Sequence, residues 1–402
     1  MKTVTVRGVG IVSPLGIGVD SFWSQLLAGK CAIRESPRST RDIPVPAWSA
    51  TLKELESEID ESVDARALRR VSNLSRYAVA AAQLAIPRGK EDVAPASDAA
   101  LPSADDTAVI LGTSFGSACY HFDYYERLFR GGIREASPLL FSESVMNAAS
   151  GHVSLYLQLR GASLALVGGE EVGLTAIADG AERVAIGDAL AAFAGGADEY
   201  CDFVHAGLAS REFVSGEPAE PYGGGESRAF FGEGSALLLL EAPDAADPQR
   251  GPPLAVVAGW GVASGAEGVE DAVRQSLRQA GVDRGDVDLL VTSASGGAED
   301  AAEVAGLNRI LGKIRGKDLF VAAPKAALGE GFAFTSAAQA VVAVNALVTQ
   351  TVPPTPGHAS PTRLPARWSL PREAVSTRLR NALAISVNRR GTCAAVVFSS
   401  VR

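Results

Sequence analysis

A short strand that carries two glycines occurs twice in the chain, and this repetition limits the fold more than any other feature. Gly8-Val-Gly-Ile-Val-Ser13 near the amino terminus is matched by Gly259-Trp-Gly-Val-Ala-Ser264 after the midpoint. Each copy is followed, later in its half, by a closing apolar strand, at 235–242 and at 393–401. Because matching patterns at matching positions indicate duplicated units, we predict two similar halves. The halves are residues 1–250 and 251–402, joined through the Pro-, Asp- and Gly-rich stretch 244–253.

The chain between these repeated strands alternates between strand patterns and helix patterns. Apolar and β-branched runs predict strands at 3–13, 107–112, 163–167 and 189–199. Apolar side chains at helical spacing predict a helix over 172–186. Such alternation is typical of an α/β fold with a parallel or mixed sheet. Stretches rich in Pro, Gly, Ser and Asp predict loops at 85–105, 215–228 and 353–372.

Composition and charge disfavour several classes of function. The chain has 46 acidic and 37 basic residues, a net charge of −9, which disfavours binding to a nucleic-acid backbone. Its four cysteines, Cys31, Cys119, Cys201 and Cys393, lack metal-ligand spacing, so we expect neither a zinc site, nor another cofactor, nor a disulfide framework. That cysteine usage suits the cytoplasm. No run approaches about 18 apolar residues, so we expect no membrane span.

Several ordered segments resemble one known family. They are GVGIVSPLGIGVDSFWSQLLAGKCAI near the start, NAASGHVSLYLQLRGASL at 147–164, RAFFGEGSALLLLEA, and the closing GTCAAVVF. These segments resemble β-ketoacyl-acyl-carrier-protein synthases of the thiolase superfamily, and the likeness runs over nearly the whole chain. The resemblance implies an α/β fold of the thiolase-like five-layer αβαβα type, built from two duplicated halves and usually dimeric.

Active members of that family need a cysteine at a helix N-terminus, which is acylated, and two histidines that assist malonyl decarboxylation and hold the enolate oxygen. The resemblance places Glu170 at the cysteine position, Thr292 at the first histidine if there is no gap, and Glu330 at the second. The lysine of the second histidine motif is kept as Lys325, and Arg389 replaces a gating phenylalanine. Because a carboxylate cannot form the thioester, we expect these degenerate positions to carry no condensing chemistry.

This pattern looks like the chain-length factor, the non-condensing subunit of type II polyketide synthases. The resemblance implies a heterodimer in which a catalytic ketosynthase supplies the cysteine and both histidines and makes most contacts with an acyl carrier protein. This chain would shape the tunnel in which a malonyl-derived polyketide, for example a polyene, grows. The more familiar members carry glutamine at the cysteine position, and Glu170 departs from that.

The segment GTSFGSACYHFDYYERLFRGG predicts a loop followed by a helix over 117–130. Ala118, His121, Phe122 and Tyr125 fall on one face of that helix. The resemblance places the helix at the heterodimer interface, together with the strand near 163–168, so that these four side chains limit chain length. The alternative is an ordinary amphipathic helix that packs on the core of its own chain.

Glu170 has three interpretations. An acidic residue at a helix N-terminus interacts favourably with the helix dipole. A buried carboxylate needs a cation, which predicts a contact with Arg389 or, failing that, with Lys325. A carboxylate with a raised pKa could instead act as a general base.

Two rival functions therefore stay open beside the chain-length factor. One is a stand-alone thiolase-fold malonyl decarboxylase or acyltransferase that uses Glu170, Glu330 and Lys325. The other is a non-catalytic homodimer that binds an acyl chain. Cys119 lies in a Ser-Ala-Cys run that looks like a family motif, but it is in the wrong segment and is not expected to catalyse.

Overall fold

The computed structural model describes residues 2–39, 42–87, 103–214, 219–223, 229–243, 251–297, 299–312, 318–357 and 363–401. Most of the predicted join at 244–253, and parts of the predicted loops at 85–105, 215–228 and 353–372, lie outside these residues. In the described part of the chain, no helix is long and apolar enough to cross a membrane. The same residues contain no group of three or more His, Cys, Asp and Glu side chains that could hold a metal ion.

Strands and helices alternate along the described residues. The strands are β1 (Val4–Ser13), β2 (Gly16–Ile17), β3 (Arg34–Glu35), β4 (Trp48–Ala50), β5 (Thr107–Thr113), β6 (Ser163–Val167), β7 (Ala191–Asp198), β8 (Phe231–Gly232), β9 (Gly234–Glu241), β10 (Ala255–Ala263), β11 (Leu289–Val291), β12 (Leu319–Ala322), β13 (Thr351–Val352), β14 (Trp368–Ser369), β15 (Val375–Ser376), β16 (Asn381–Val387) and β17 (Cys393–Ser400). The helices are α1 (Val19–Leu27), α2 (Glu56–Ser62), α3 (Asn73–Ala85), α4 (Ala118–Gly131), α5 (Pro138–Ser144), α6 (Ala148–Tyr156), α7 (Val172–Ile186), α8 (Asp202–Ser210), α9 (Gly268–Ala280), α10 (Glu299–Leu311), α11 (Lys325–Leu328) and α12 (Ala333–Thr349). The predicted strands and the predicted helices at 117–130 and 172–186 agree with these bounds to within about two residues.

One mixed sheet runs through both halves in the order β14-β12-β11-β16-β17-β10-β1-β9-β7-β5-β6. Strands β1 and β10 pair antiparallel at its centre, with Val4 opposite Val257. Outward from β1 the pairings are two antiparallel and then two parallel. Outward from β10 the same series occurs, and a third parallel pairing, of β12 with β14, extends it. The two halves of the sheet therefore repeat one topology, as the duplicated strands predict.

Helices lie between and outside the two halves of the sheet. Helices α7 and α12 contact each other and strands of both halves, so they form the middle layer. Helix α3 packs on β1 and β9, and α9 packs on β10 and β17, which makes them the outer layers. The five-layer αβαβα architecture expected from the resemblance is confirmed.

The repeated glycines let an outer helix approach its strand closely. A Cβ atom on Gly8 would lie 1.7 Å from the carbonyl oxygen of Ala85 in α3. A Cβ atom on Gly259 would lie 2.3 Å from the carbonyl oxygen of Ser276 in α9. The register of each strand also shifts just before its glycine. The sequence echo thus marks the same helix-on-strand contact in both halves.

Candidate functional site

A small cavity lies where the segment before α7, the start of α10, the segment from α11 to Glu330, and the carboxyl ends of β11 and β16 come together. Its volume is ≈ 20 Å³, enough for about one water molecule. Charged and polar side chains form most of its wall. The lining residues are Glu170, Ser293, Ser295, Glu299, Asp300, Glu303, Lys325, Glu330, Val387 and Arg389. The degenerate positions Glu170, Lys325, Glu330 and Arg389, which are far apart in sequence, therefore meet at one place.

Glu170 lies two residues before the first residue of α7. The hydroxyl of Ser386 in β16 donates a hydrogen bond to the backbone carbonyl of Glu170 at 2.9 Å, which fixes this segment against the other half. The Glu170 side chain is 10% exposed, and its Oε1 atom lies 3.5 Å from Nε of Arg389. The predicted contact between Glu170 and Arg389 is confirmed.

Arg389 is held by three further contacts. Its Nη2 group donates a hydrogen bond to the backbone carbonyl of Phe213 at 2.9 Å. Its guanidinium carbon lies 4.1 Å from the centre of the Phe213 ring, a cation–π geometry. Its Nη1 atom lies 3.7 Å from Oε1 of Glu299. The guanidinium is therefore fixed against the cavity wall on several sides.

Lys325 and Glu330 form a second, more deeply buried ion pair. Their Nζ and Oε2 atoms are 2.6 Å apart, and the side chains are 2% and 8% exposed. Glu330 also accepts a hydrogen bond from the backbone N–H of Phe332 at 2.9 Å. Burial alone would lower the pKa of Lys325, but the carboxylates of Glu330 and Glu170 outweigh it and raise that pKa. Lys325 is therefore a charged lysine at neutral pH.

Burial has the opposite effect on the acids of the cavity, because it raises their pKa values. Burial, helped by the negative charge of Glu330, raises the pKa of Glu170 in spite of Lys325 and Arg389. Burial and the nearby Asp300 raise the pKa of Glu303 to about 8. Glu303 is therefore mostly protonated at neutral pH, and the cavity holds exchangeable protons beside its two cations.

The structure corrects the position assigned to the first histidine. Thr292 does not line the cavity, because its side chain points to Tyr222, whose hydroxyl donates to Thr292 Oγ1 at 2.6 Å. Ser293 and Ser295 line the cavity instead. Neighbouring residues of an extended segment point to opposite sides, so a difference of one position decides which side chain reaches the site. The residue assigned to the first histidine, Thr292, therefore lies just outside the cavity wall, and its neighbour Ser293 lies in the wall.

The candidate chain-length residues lie on α4, none of whose residues is fully buried. The ring of Phe122 packs on Phe203 of α8 at a centroid distance of 5.4 Å. The rings of His121 and Tyr125 stack at 6.4 Å, and Tyr125 is 49% exposed. Partial burial lowers the pKa of His121, so its ring is neutral at pH 7. That these residues and Ala118 limit chain length stays a prediction.

An apolar face is exposed along α4, α5, α6 and β6, which contact one another in that order. Phe129 is 83% exposed and Ile133 is 79% exposed. The apolar face consists of Tyr125, Phe129, Ile133, Leu139, Phe141, Leu155 and Val167. Strand β6 ends the sheet, pairing only with β5 among the described strands. Exposed apolar side chains beside a sheet edge mark an interaction surface, and α4 is not packed as a core helix of its own chain.

Two family models match the chain in succession. The N-terminal domain of beta-ketoacyl synthase matches residues 1–246, and the C-terminal domain matches residues 255–358. The chain belongs to the beta-ketoacyl synthase family. A beta-ketoacyl synthase relative, the 3-oxoacyl-[acyl-carrier-protein] synthase 2 of Rhizobium meliloti (strain 1021), is 26% identical over 423 aligned positions, which cover 99% of each chain.

Solved structures of beta-ketoacyl synthase relatives have the same fold. The ishigamide ketosynthase/chain length factor matches with a TM-score of 0.88 at 21% identity, over 100% of both chains. A type II PKS acyl-carrier protein in complex with its ketosynthase bound to the hexaketide provides a chain that matches with a TM-score of 0.85 at 17% identity, again over 100% of both. Among the described residues that line the cavity of this beta-ketoacyl synthase, there is neither a cysteine nor a histidine.

Proposed function

We propose that this beta-ketoacyl synthase is a chain-length factor, a non-condensing subunit that pairs with an active ketosynthase during malonyl-based polyketide elongation. The observation that carries the proposal is the ion pair between Glu170 and Arg389 in a cavity of ≈ 20 Å³. A carboxylate cannot form the acyl thioester. The cavity has no room for a bound acyl group, and the sequence offers no histidine pair to activate malonate.

The apolar face supports a subunit interface. Obligate interfaces bury about 2,000 Å² or more and are rich in apolar side chains. Phe129 and Ile133 on α4 and Val167 at the sheet edge would be covered by such a partner. In this arrangement the ketosynthase supplies the cysteine and both histidines, and makes most contacts with the acyl carrier protein.

The position of α4 on this face gives the chain its role in the pair. Ala118, His121, Phe122 and Tyr125 would reach the end of the partner's acyl tunnel, where their volume stops chain growth. We propose the cytoplasm as the location of the heterodimer, because the scattered spacing of the four cysteines suits a reducing compartment.

Co-expression with a cysteine-bearing ketosynthase, such as one encoded beside it, tests the proposal. We expect a 1:1 complex that elongates malonyl units on an acyl carrier protein, and no elongation by the isolated chain. Intact-mass analysis of the isolated chain after incubation with acyl carrier protein should show no acyl adduct. An adduct, unaided elongation, or a stable homodimer that does not combine with any ketosynthase would contradict the proposal.

One observation favours a second candidate function. The raised pKa of Glu170 suits a group that moves protons, so the chain could decarboxylate malonyl groups as a stand-alone enzyme. The isolated chain would then release carbon dioxide from malonyl carrier protein, and Glu170→Ala would release less. The neighbouring buried Glu171, which does not line the cavity, provides the matched control Glu171→Ala. Absence of carbon dioxide release would remove this candidate.

A further inference from the structure

Two cysteines lie side by side where α4 and α8 begin. The Sγ atom of Cys119, in the first turn of α4, lies 3.6 Å from the backbone carbonyl oxygen of Tyr200. The backbone N–H of Cys119 donates a hydrogen bond to Oε1 of Glu199 at 3.2 Å. Cys201 follows Tyr200 directly, and the side chain of Cys119 hydrogen-bonds to that of Cys201. Two thiols from distant parts of the sequence are therefore in contact, and no disulfide joins them in the structure.

Cys201 is set apart from the other buried cysteine by its surroundings. It is the residue before the first turn of α8, where backbone N–H groups favour a thiolate. The hydrogen bond from Cys119 outweighs burial, and with the N–H groups of this turn it lowers the pKa of Cys201 to about 7. Burial instead raises the pKa of Cys31 and of Cys393. Of Cys31, Cys201 and Cys393, only Cys201 thus has thiolate character near neutral pH.

The two sulfur atoms differ in access to solvent. Cys201 is buried, with 1% of its surface exposed, whereas Cys119 is partly exposed. A small oxidant in solution therefore meets Cys119 first, while Cys201 lies behind it in position to react next. An exposed thiol with a second thiol behind it is the arrangement that redox-sensitive cysteine pairs require.

We propose that Cys119 and Cys201 form a reversible thiol–disulfide site that hydrogen peroxide oxidises. The thiol proton of Cys119 passes to Cys201 along their hydrogen bond, and the Cys119 sulfur attacks one peroxide oxygen. The O–O bond breaks, and water leaves a sulfenic acid on Cys119. Cys201 then loses its proton and attacks the Cys119 sulfur, the S–S bond forms, and the S–O bond breaks. Two thiols are oxidised, and one peroxide is reduced to two molecules of water.

The cross-link would tie the start of α4 to the segment that leads into α8. No residue of α4 is fully buried, so this helix is held by half-buried contacts such as that of Phe122 with Phe203. The disulfide would add a covalent attachment at its first turn and reduce its local opening. Oxidation therefore stiffens the helix without new packing.

Thiol counting on the purified full-length chain tests the site. After treatment with hydrogen peroxide and denaturation, the number of titratable thiols should fall from four to two. Trypsin should then yield one peptide pair, 91–127 joined to 184–211, which separates on reduction with dithiothreitol. Cys119→Ser should keep all three of its remaining thiols, whereas the control Cys31→Ser should fall from three to one.

A second variant and a second measurement distinguish loss of the cysteine pair from a folding defect. Cys201→Ala removes the other sulfur and should likewise keep three thiols while unfolding near the wild-type temperature. Amide hydrogen exchange over 118–131 should slow in the oxidised wild-type chain and not in Cys201→Ala. A disulfide between other cysteines, a thiol loss that persists in Cys119→Ser, or retention of all four thiols under peroxide would overturn the proposal.

Discussion

The Nζ atom of Lys325 lies 2.6 Å from Oε2 of Glu330, with almost no solvent at either side chain. Glu330 also accepts the N–H of Phe332, so the pair joins α11 to the segment that opens α12. Both groups therefore act as one structural unit in the wall of the cavity. Removing one partner would leave an uncompensated buried charge, which is far more costly than losing both.

Lys325→Met should lower the free energy of unfolding by about 3–5 kcal/mol, because Glu330 would remain buried without its cation. The double variant Lys325→Met/Glu330→Gln should recover most of that loss, since neither remaining group carries a charge. Urea denaturation of the wild type, both single variants and the double variant measures the coupling. Additive losses would show that the two residues do not act as a unit.

Glu170→Cys should not turn the isolated chain into a condensing enzyme. The introduced thiol would lie in a cavity for about one water molecule, beside Arg389 and without a histidine. Intact mass after incubation with acyl carrier protein, and assay for elongated product, should both be negative. The double variant Glu170→Cys/Arg389→Phe is a stricter test, because it also restores the aromatic residue expected from the resemblance. Elongation by either variant alone would contradict the assignment of a non-condensing role.

Phe129→Asp should weaken the complex with a ketosynthase by at least about tenfold, because it places a charge in the apolar face. Size-exclusion chromatography and titration of the two purified subunits measure the effect. Val348→Asp is the matched control: Val348 is also exposed, at 47%, but lies near the end of α12 in the other half. Equal effects of the two variants would locate the interface elsewhere.

His121→Ala and Tyr125→Ala should each lengthen the polyketide made by the complex, since both remove volume from the face of α4 that is proposed to end the tunnel. Mass spectrometry of the released products gives the chain length directly. Arg127→Ala, on the same helix but outside this set, should leave product length unchanged. If neither aromatic variant changes the length, these residues do not limit chain growth.

Stability should fall as the pH rises from about 4.5 to about 8. Burial raises the pKa of Asp198 and of Glu233 to about 7, and of Glu199 and of Glu303 to about 8. The folded chain therefore keeps protons on these four acids that the unfolded chain releases. The stabilisation that these acids contribute is complete below about pH 4, and it is lost as the pH rises through their pKa values in the folded state.

Thermal unfolding between pH 5 and 8.5 measures this dependence. Glu303→Gln should reduce the total loss of unfolding free energy over this pH range. The reduction should be about 1.4 kcal/mol for each unit by which folding raises the pKa of Glu303. Glu135→Gln changes an exposed carboxylate and should leave the slope unaltered. A melting temperature that rises over this pH range would contradict the assigned protonation of the buried acids.

The individual helices and strands could be predicted well because their determinants are local, whereas the five-layer arrangement followed from the family resemblance. Periodic apolar side chains define α7 over Val172–Ile186, and β-branched runs define β6 over Ser163–Val167. The paired glycines at Gly8 and Gly259 report a contact that only glycine permits. Such signals depend on neighbouring residues and need no knowledge of the remote parts of the chain.

The site could be predicted only in part, because it depends on remote contacts. The ion pair of Glu170 with Arg389 followed from the resemblance and the cost of an unpaired buried charge. The choice between Thr292 and Ser293 depended on an offset of one position after β11, which no composition or periodicity reveals. The sequence did not show that Glu299, Asp300 and Glu303 face the same cavity, because an acidic helix start usually faces solvent.

The glycines that let α3 and α9 pack closely on their strands, such as Gly8 and Gly259, are not among the residues that line the cavity. A substitution in the cavity wall should leave both helix–strand contacts intact. Replacing one of these glycines with a larger residue should displace a helix without contacting the charged groups of the cavity. Scaffold and cavity chemistry are thus encoded by separate positions, so the architecture of a synthase does not depend on which side chains line the cavity.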